Sequence, residues 1–422
     1  MSTTTTAGAR TPRRVRGALT ATLTAALVAG GLLAAAAPAQ ALSTDRWWGA
    51  DRHGTAASVS GAAFGGGAKG AVVVNGGSFA DALAAAPLAA SLRVPLLTTA
   101  QGQLPDSARS ELRRLAPESV WVVGGAAAVS DDVVTELRGL TSGDVTRLQG
   151  ASRYDTAAQV AQTHFASSPD REVYVASGEG FADALSAGAA SASRGVPLLL
   201  TTRDGLPAET VTALQALAPS RITVVGGTSV VSPGVQGQLE AEWPGKVRRI
   251  AGDDRYDTAA KVVKDLTGSA PRVLLASGAD FPDALAGAAL GQPLLLSRPD
   301  CLPQVTADAY AALGTGGVTG LGGPGVLSDT ALAGAVCAPA PAPAPSSSAS
   351  ASASGSGSAT AKPASTPRPS TTTSTPKATS GGSAYYANCD AVRRAGKDPL
   401  YRGQPGYSSK LDRDGDGVAC ER

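Results

Sequence analysis

The chain is poor in the residues from which most catalytic and metal sites are built. It has two histidines, His53 and His164, four cysteines, one methionine and 4% aromatic residues in 422 positions. The histidines fall at non-equivalent places in a repeated unit described below, so a Ser-His-Asp or Cys-His arrangement would have no repeated general base. No C-x-x-C spacing exists, which argues against metal ligation by the thiols. Net charge is nearly absent too. The formal value is +2, and the balance turns slightly acidic when Arg10, Arg13, Arg14 and Arg16 are set aside with the leader that carries them. That argues against a globally basic nucleic-acid binder, although a local basic stripe stays open. Gly65-Gly66-Gly67-Ala68-Lys69 lacks the Gly directly before Lys and the following Ser/Thr of a P-loop. Beyond the leader, no apolar run is long enough to span a bilayer.

What is abundant is small residues, with 51 Gly and 28 Pro. At the N-terminus the four arginines precede an apolar run from Gly17 to Ala37, and Ala39-Gln40-Ala41 follows. The pattern predicts a signal peptide over 1–41, with an uncleaved membrane anchor as the alternative. Arg13-Arg14 alone is weak evidence for a twin-arginine signal. The expected destination is secreted and oxidising, where cysteines pair. Four cysteines allow three connectivities, and Cys301 with Cys337 and Cys389 with Cys420 keeps each bridge inside one segment. The chain ends in Cys420-Glu421-Arg422 without a hydrophobic sorting tail, so any hold on a cell surface is expected to be non-covalent.

Self-comparison gives the strongest signal. Phe79-Ala80-Asp81-Ala82-Leu83 recurs as Phe181-Ala182-Asp183-Ala184-Leu185 and Phe281-Pro282-Asp283-Ala284-Leu285. Before each copy stands Arg52-His53-Gly54-Thr55-Ala56, Arg153-Tyr154-Asp155-Thr156-Ala157 or Arg255-Tyr256-Asp257-Thr258-Ala259. After each come Pro-Leu-Leu at 95, 197 and 293 and Gly pairs at 124–125, 226–227 and 322–323. In the second copy, apolar runs at Val173 to Ala176, Val196 to Leu200 and Ile222 to Val225 end at Gly, Ser or Thr and precede helix-length patterns, as strands of a parallel α/β sheet do. Val145 to Leu148 is expected as that copy's fourth strand. Ser130, Ser232 with Pro233, and Ser328 read as helix N-caps. The third copy is shorter, and Cys301–Cys337 is expected to offset its smaller core.

In an open α/β sheet, ligands bind beyond the carboxyl ends of the strands, and the repeated motifs fall on that edge. Arg52, Arg153 and Arg255 stand at helix starts, where a guanidinium could grip a phosphate or carboxylate of a polymer. The other reading is internal, with each Arg paired to its own Asp81, Asp183 or Asp283 and each Asp capping its helix.

From Ala338 to about Ala384 the chain is Pro, Ala, Ser, Thr and Gly with few charges, a disordered tether by composition. Asp412, Asp414 and Asp416 then alternate before Gly417, the first half of an EF-hand loop. These carboxylates with the Val418 carbonyl suit Ca2+, and Glu421 would close the set two places early. A segment this small needs a disulfide or a metal to fold.

On these motifs the repeats resemble the cell-wall-binding repeat type 2 family of Gram-positive surface proteins. The tail, matching D-x-D-x-D-G-x-x-C-E, resembles the Excalibur calcium-binding domain. The resemblance implies a pseudo-trimer of three α/β modules anchored non-covalently to an anionic secondary wall polymer or peptidoglycan. The expected organisation is a signal peptide at 1–41, repeats at 42–140, 141–243 and 244–337, a linker at 338–384 and the calcium-binding domain at 385–422. The function expected is a non-enzymatic, secreted cell-wall protein. An autolysin-type hydrolase and a calcium-dependent adhesin or scaffold with a protein partner are the alternatives. His53 in place of Tyr and the short third copy depart from the family pattern.

Overall fold

The computed structural model describes residues 43–338 except 168–170, 267–269, 271 and 315. It also describes 386, 389–395, 397, 400–401, 404, 406–408, 411 and 418–420. The expected signal peptide, the linker from 339 onward and the loop from Asp412 to Gly417 with Glu421 lie outside the described residues. The chain divides into two compact units, 1–342 and 343–422.

The first unit is three turns of one α/β pattern. Its first turn runs β1 (Ser43–Trp47), α1 (Arg52–Ala63), β2 (Gly70–Asn75), α2 (Ala85–Leu92), β3 (Leu96–Thr99), α3 (Asp106–Leu115), β4 (Ser119–Val123) and α4 (Asp131–Leu140). The second runs β5 (Asp144–Leu148), α5 (Arg153–His164), β6 (Glu172–Ser177), α6 (Ala182–Arg194), β7 (Leu198–Thr201), α7 (Ala208–Leu217), β8 (Arg221–Val225) and α8 (Pro233–Glu242). The third runs β9 (Val247–Ile250), α9 (Arg255–Leu266), β10 (Val273–Ser277), α10 (Pro282–Ala288), β11 (Leu294–Ser297), α11 (Gln304–Ala312), β12 (Gly317–Leu321) and α12 (Asp329–Leu332). Side chains of Ser130, Ser232 and Ser328 accept from the backbone N–H three residues on, as N-caps do.

Three parallel four-stranded sheets result, ordered β3-β2-β4-β5, β7-β6-β8-β9 and β11-β10-β12-β1. The fourth strand of each sheet is therefore contributed by the start of the next turn. The strand expected at Val145 to Leu148 forms, but as β5 it pairs with β4 of the first sheet rather than joining the second. The third sheet has no following turn, and β1 returns from the N-terminus to pair with β12, Thr44 opposite Val318 and Trp47 opposite Leu321. This closes the three sheets into a ring.

Period-two alternation sorts each central strand between two cores. Val72 and Val74, Tyr174 and Ala176, and Leu274 and Ala276 point to one shared cluster with the alanine-rich α2, α6 and α10. Ala71 and Val73, Val173 and Val175, and Val273 and Leu275 point outward to three separate cores. Because both faces are covered, these strands read as unbroken apolar runs. The third turn is the thinnest, α10 having 7 residues where α6 has 13. There the Cys301–Cys337 bridge and a Leu302–Val336 bridge pin the end of the chain.

The second unit holds α13 (Cys389–Arg394) and an antiparallel pair, β13 (Leu400–Tyr401) with β14 (Val418–Ala419). Val392, Leu400, Leu411 and Ala419 are buried around the Cys389–Cys420 disulfide. A core this small gains proportionately more from the cross-link than the first unit does.

Candidate functional site

Phe79, Phe181 and Phe281 follow the carboxyl ends of β2, β6 and β10, and their rings meet on the ring's axis. Their centroids are 6.2, 5.8 and 5.9 Å apart in tilted and edge arrangements. The strand ends that this fold class uses for ligands are thus gathered at one end of the unit.

The three motif arginines are brought to that end and are held from within the protein. Arg52 Nη1 donates to the Gly76 carbonyl at 2.7 Å, Arg153 Nη1 to Gly178 at 2.5 Å and Arg255 Nη1 to Gly278 at 2.6 Å. Arg153 lies over the Phe79 ring and Arg255 over the Phe181 ring, each at 5.5 Å, so each arginine reaches back onto the preceding turn. The expected ion pair of each arginine with its own aspartate does not form among the described residues. Arg52 approaches Asp280 instead, at 3.8 Å.

The aspartates make no side-chain capping bond either, although Asp81 stands at the N-cap of a short 3-10 helix, Ala82–Ala84. The caps of α6 and α10 are Phe181 and Phe281, without a side-chain bond. Asp183 and Asp283 lie beneath Gly226 and Gly322, whose positive φ values of 116° and 99° only glycine adopts readily, and any Cβ there would meet the carboxylate at 2.9 and 2.5 Å. Burial pushes both carboxyls up in pKa, opposed by hydrogen bonds from Thr258 and Thr55. Those threonines belong to the following turn, Thr55 closing the ring. Each also accepts from a backbone N–H: Gly49 to Thr55 at 3.3 Å, Gly150 to Thr156 at 3.1 Å and Gly252 to Thr258 at 3.1 Å. The Thr of the Arg-x-x-Thr-Ala motif is thus the joint between turns, a role its small side chain does not advertise in the sequence.

A second arginine trio escaped the sequence reading. On the fourth strands, Arg46 donates to the Gly322 and Leu327 carbonyls at 2.7 and 2.8 Å, and Arg147 to Gly124 and Val129, both at 2.8 Å. Arg46 and Arg147 then pair with Asp329 and Asp131 at 2.8 and 3.0 Å. Arg249 bonds Gly226 at 2.6 Å and Gln236 at 2.7 Å, Pro233 standing in the sequence where the other turns have that aspartate, and burial lowers its pKa. The signal was present as an Arg at one phase of the repeat.

One junction is open. Where the third turn meets the N-terminal segment, a cleft of about 530 Å³ is lined by Trp48, Asp51, Arg52, Asp280, Asp283 and Val326 among others. Trp48 is 49% exposed beside it. At His53, which stands where the other turns have Tyr154 and Tyr256, Nδ1 bonds the Thr98 hydroxyl at 2.9 Å, and burial lowers its pKa. Among the described residues no group of three or more His, Cys, Asp or Glu could hold a metal ion. The ligands expected for Ca2+ at Asp412, Asp414, Asp416 and Glu421 are outside the described residues, and Val418 is placed in β14. No helix among the described residues is long and apolar enough to cross a membrane.

Comparison with known proteins agrees with this architecture. Residues 46–134, 147–236 and 249–332 match the cell wall binding domain 2 (CWB2) family, and residues 386–421 match the Excalibur calcium-binding domain. The chain is 34% identical over 264 residues to the N-acetylmuramoyl-L-alanine amidase LytC of Bacillus subtilis, covering 62% of this chain and 51% of the relative. It is 31% identical over 264 residues to the amidase enhancer of the same organism, covering 35% of that protein. It therefore spans about half or less of the curated relatives it matches. Among solved structures, Cwp6 of Clostridium difficile aligns with a TM-score of 0.64 at 24% identity, over 70% of this chain and 48% of that one. Cwp8 of the same organism aligns at 0.62 and 26%, over 69% of this chain and 51% of that one. With three matched repeats filling the ring, the chain belongs to the cell wall binding domain 2 family, and its C-terminal segment carries an Excalibur domain.

Proposed function

We propose that this protein is a secreted, non-enzymatic anchor that holds an anionic secondary polymer of the Gram-positive wall, or the peptidoglycan itself, through its ring of repeats. It carries a calcium-binding domain beyond the Pro/Ala/Ser/Thr-rich linker. The observation that carries this reading is the match of all three repeats to one wall-binding family within a single closed ring. The similarity to an amidase and an amidase enhancer extends over 264 residues, a length comparable to the repeats, and so supports shared anchoring rather than shared chemistry. Two internal disulfides suit an extracellular setting. In the tail, the sequence offers Asp412, Asp414, Asp416, Glu421 and the Val418 carbonyl, the kind of oxygen donors that Ca2+ prefers. The ion would supply positive charge to hold those carboxylates together.

The test is co-sedimentation of the mature chain, and of a truncation ending at Ala342, with purified walls before and after acid extraction of secondary polymers. Binding by both that disappears with the extracted polymer is the expected result. Failure of the truncation alone would move the activity to the tail. A chain with Asp412→Asn and Asp416→Asn is expected to lose calcium-linked thermal stabilisation of the tail while still sedimenting with walls.

A further inference from the structure

The three junctions of the ring are built to one plan, yet one differs at its rim. Trp48 precedes Gly49, while Gln149 and Ala251 stand at the matching places before Gly150 and Gly252. Trp48 is held in position by Gly323, where any Cβ would come within 2.9 Å of the indole. An indole left 49% exposed at the mouth of a 530 Å³ cleft is a large apolar platform that no other described residue covers. The volume falls within the range of about 300–1,000 Å³ typical of small-molecule sites.

The polar lining determines what fits. Asp51 is occupied as the cap of α1, accepting from the Gly54 N–H at 2.7 Å. Arg52 already donates to Gly76 and stands 3.8 Å from Asp280, whose side chain is 57% exposed. Asp283 lies deeper, its one unpartnered carboxylate oxygen buried as it is in Asp183, so the exposed carboxylate of the cleft is that of Asp280. The cleft thus sets the carboxylates of Asp51 and Asp280 against one guanidinium, whose Nη1 is already taken by Gly76, with the hydroxyls of Thr55 and Ser277 also on its wall. A phosphate or carboxylate would confront Asp280, whereas a ligand rich in O–H or N–H groups would satisfy it. The next junction differs again. There the Glu179 carboxylate is taken up by the Arg203 backbone N–H at 3.0 Å, and the Arg203 side chain by Ser229 and Asp204.

We propose that the cleft between the third turn and the N-terminal segment binds one pyranose ring of the wall polymer, stacked on Trp48, at a sugar that bears neither phosphate nor carboxylate. This rests on the anchoring reading and deepens it. The chain has one such site, not three equivalent ones, and Arg52 orders the cleft instead of gripping an anion. Asp280 accepts from the ring's hydroxyl or amide groups.

The experiment is calorimetric titration of the mature chain with short fragments of acid-released wall polysaccharide, followed in parallel by tryptophan fluorescence. One site per chain is expected, with affinity nearly independent of salt. Trp48→Ala should weaken binding by roughly 30-fold, the scale of a buried aromatic anchor. Trp48→Phe should restore most of it while abolishing the fluorescence change, which separates stacking from any loss of fold. Gln149→Ala should leave binding unchanged. Three equal sites, a steep salt dependence, or unaltered affinity in Trp48→Ala while the chain still pellets with walls would overturn the cleft and leave the anchoring reading standing. Failure of the wild-type chain to pellet with walls at all would overturn both.

Discussion

The second and third sheets solve the same cross-strand problem with opposite charges. In the second, Glu172 of β6, Thr223 of β8 and Arg248 of β9 line up across three strands. Arg248 donates to Thr223 at 2.8 Å and to Glu172 at 3.1 Å. In the third, Arg272 precedes β10 at the matching place, bonds Thr319 of β12 at 2.6 Å and reaches Asp45 of β1 at 3.3 Å. The acid and the base have changed strands. Exposure differs as much: the Glu172 side chain is 2% exposed, against 41% for Arg272 and 49% for Asp45. Around Glu172 the network extends to Asp265 of α9, which Arg248 meets at 2.5 Å, and to Arg194 of α6. The first sheet dispenses with charge, packing Trp121 against Gly70. The swap carries pairing information. β1 in the second sheet would set Asp45 beside Glu172, and β9 in the third would set Arg248 beside Arg272, so each fourth strand is disfavoured in the other's place. This matters most for β1, which is tethered to its sheet only through the rest of the ring and could otherwise pair with another copy.

The comparison can be broken at its stronger side first. Arg248→Met leaves Glu172 buried without its main partner and is expected to cost about 2–4 kcal/mol, read as a lowered denaturation midpoint. Asp45→Arg places two guanidiniums side by side and removes the acceptor of the Trp47 indole N–H. A loss of about 1–2 kcal/mol and faster proteolysis near β1 are expected. Arg272→Met is the mildest, about 1 kcal/mol or less, because the exposed pair is solvent-screened and only the bond to Thr319 and the contact over Trp47 add to it. If the two arginine variants cost the same, the difference in burial has no energetic meaning.

Acidity sharpens the same contrast. Hydrogen bonds from Arg248 hold Asp265 below the ordinary carboxylate range, so its contribution is present above that range and lost as pH falls through the depressed value. Burial raises Asp183 and Asp283, so their contribution is present at low pH and is lost as pH rises through the raised value. Asp183→Asn should therefore gain stability relative to wild type as pH rises from 4 to 7, monitored by thermal unfolding. Asp265→Asn should instead lose stability relative to wild type as pH rises through the acid range below about 4, with little further change from 4 to 7. Parallel profiles for the two variants would contradict these assignments.

Much of this was legible in the residues. The unbroken apolar runs of β6, β7 and β8 announce strands covered on both faces, and the serine caps mark where helices begin. The local cysteine pairing also emerges as expected. The ownership of the fourth strands was not legible. β5 alternates exposed and half-buried residues, and a parallel strand carries no local mark of which neighbour it joins. A repeat read every hundred residues looks the same whether its first strand serves its own sheet or the preceding one. The roles of Arg52, Arg153 and Arg255 were hidden for a similar reason. Their partners are backbone carbonyls and, for Arg153 and Arg255, a ring from the turn before, which no side-chain pairing rule identifies. Trp48 drew no notice because its significance lies in being the exception to a repeat.

The central claim is that the three turns form one ring whose last sheet is completed by the first strand. Hydrogen–deuterium exchange across β1, β5 and β9 in the mature chain tests it most directly. Protection of the amides from Thr44 to Trp47 approaching that of Val145 to Leu148 and Val247 to Ile250 is the predicted result, while free exchange at β1 beside protected β5 and β9 would contradict it.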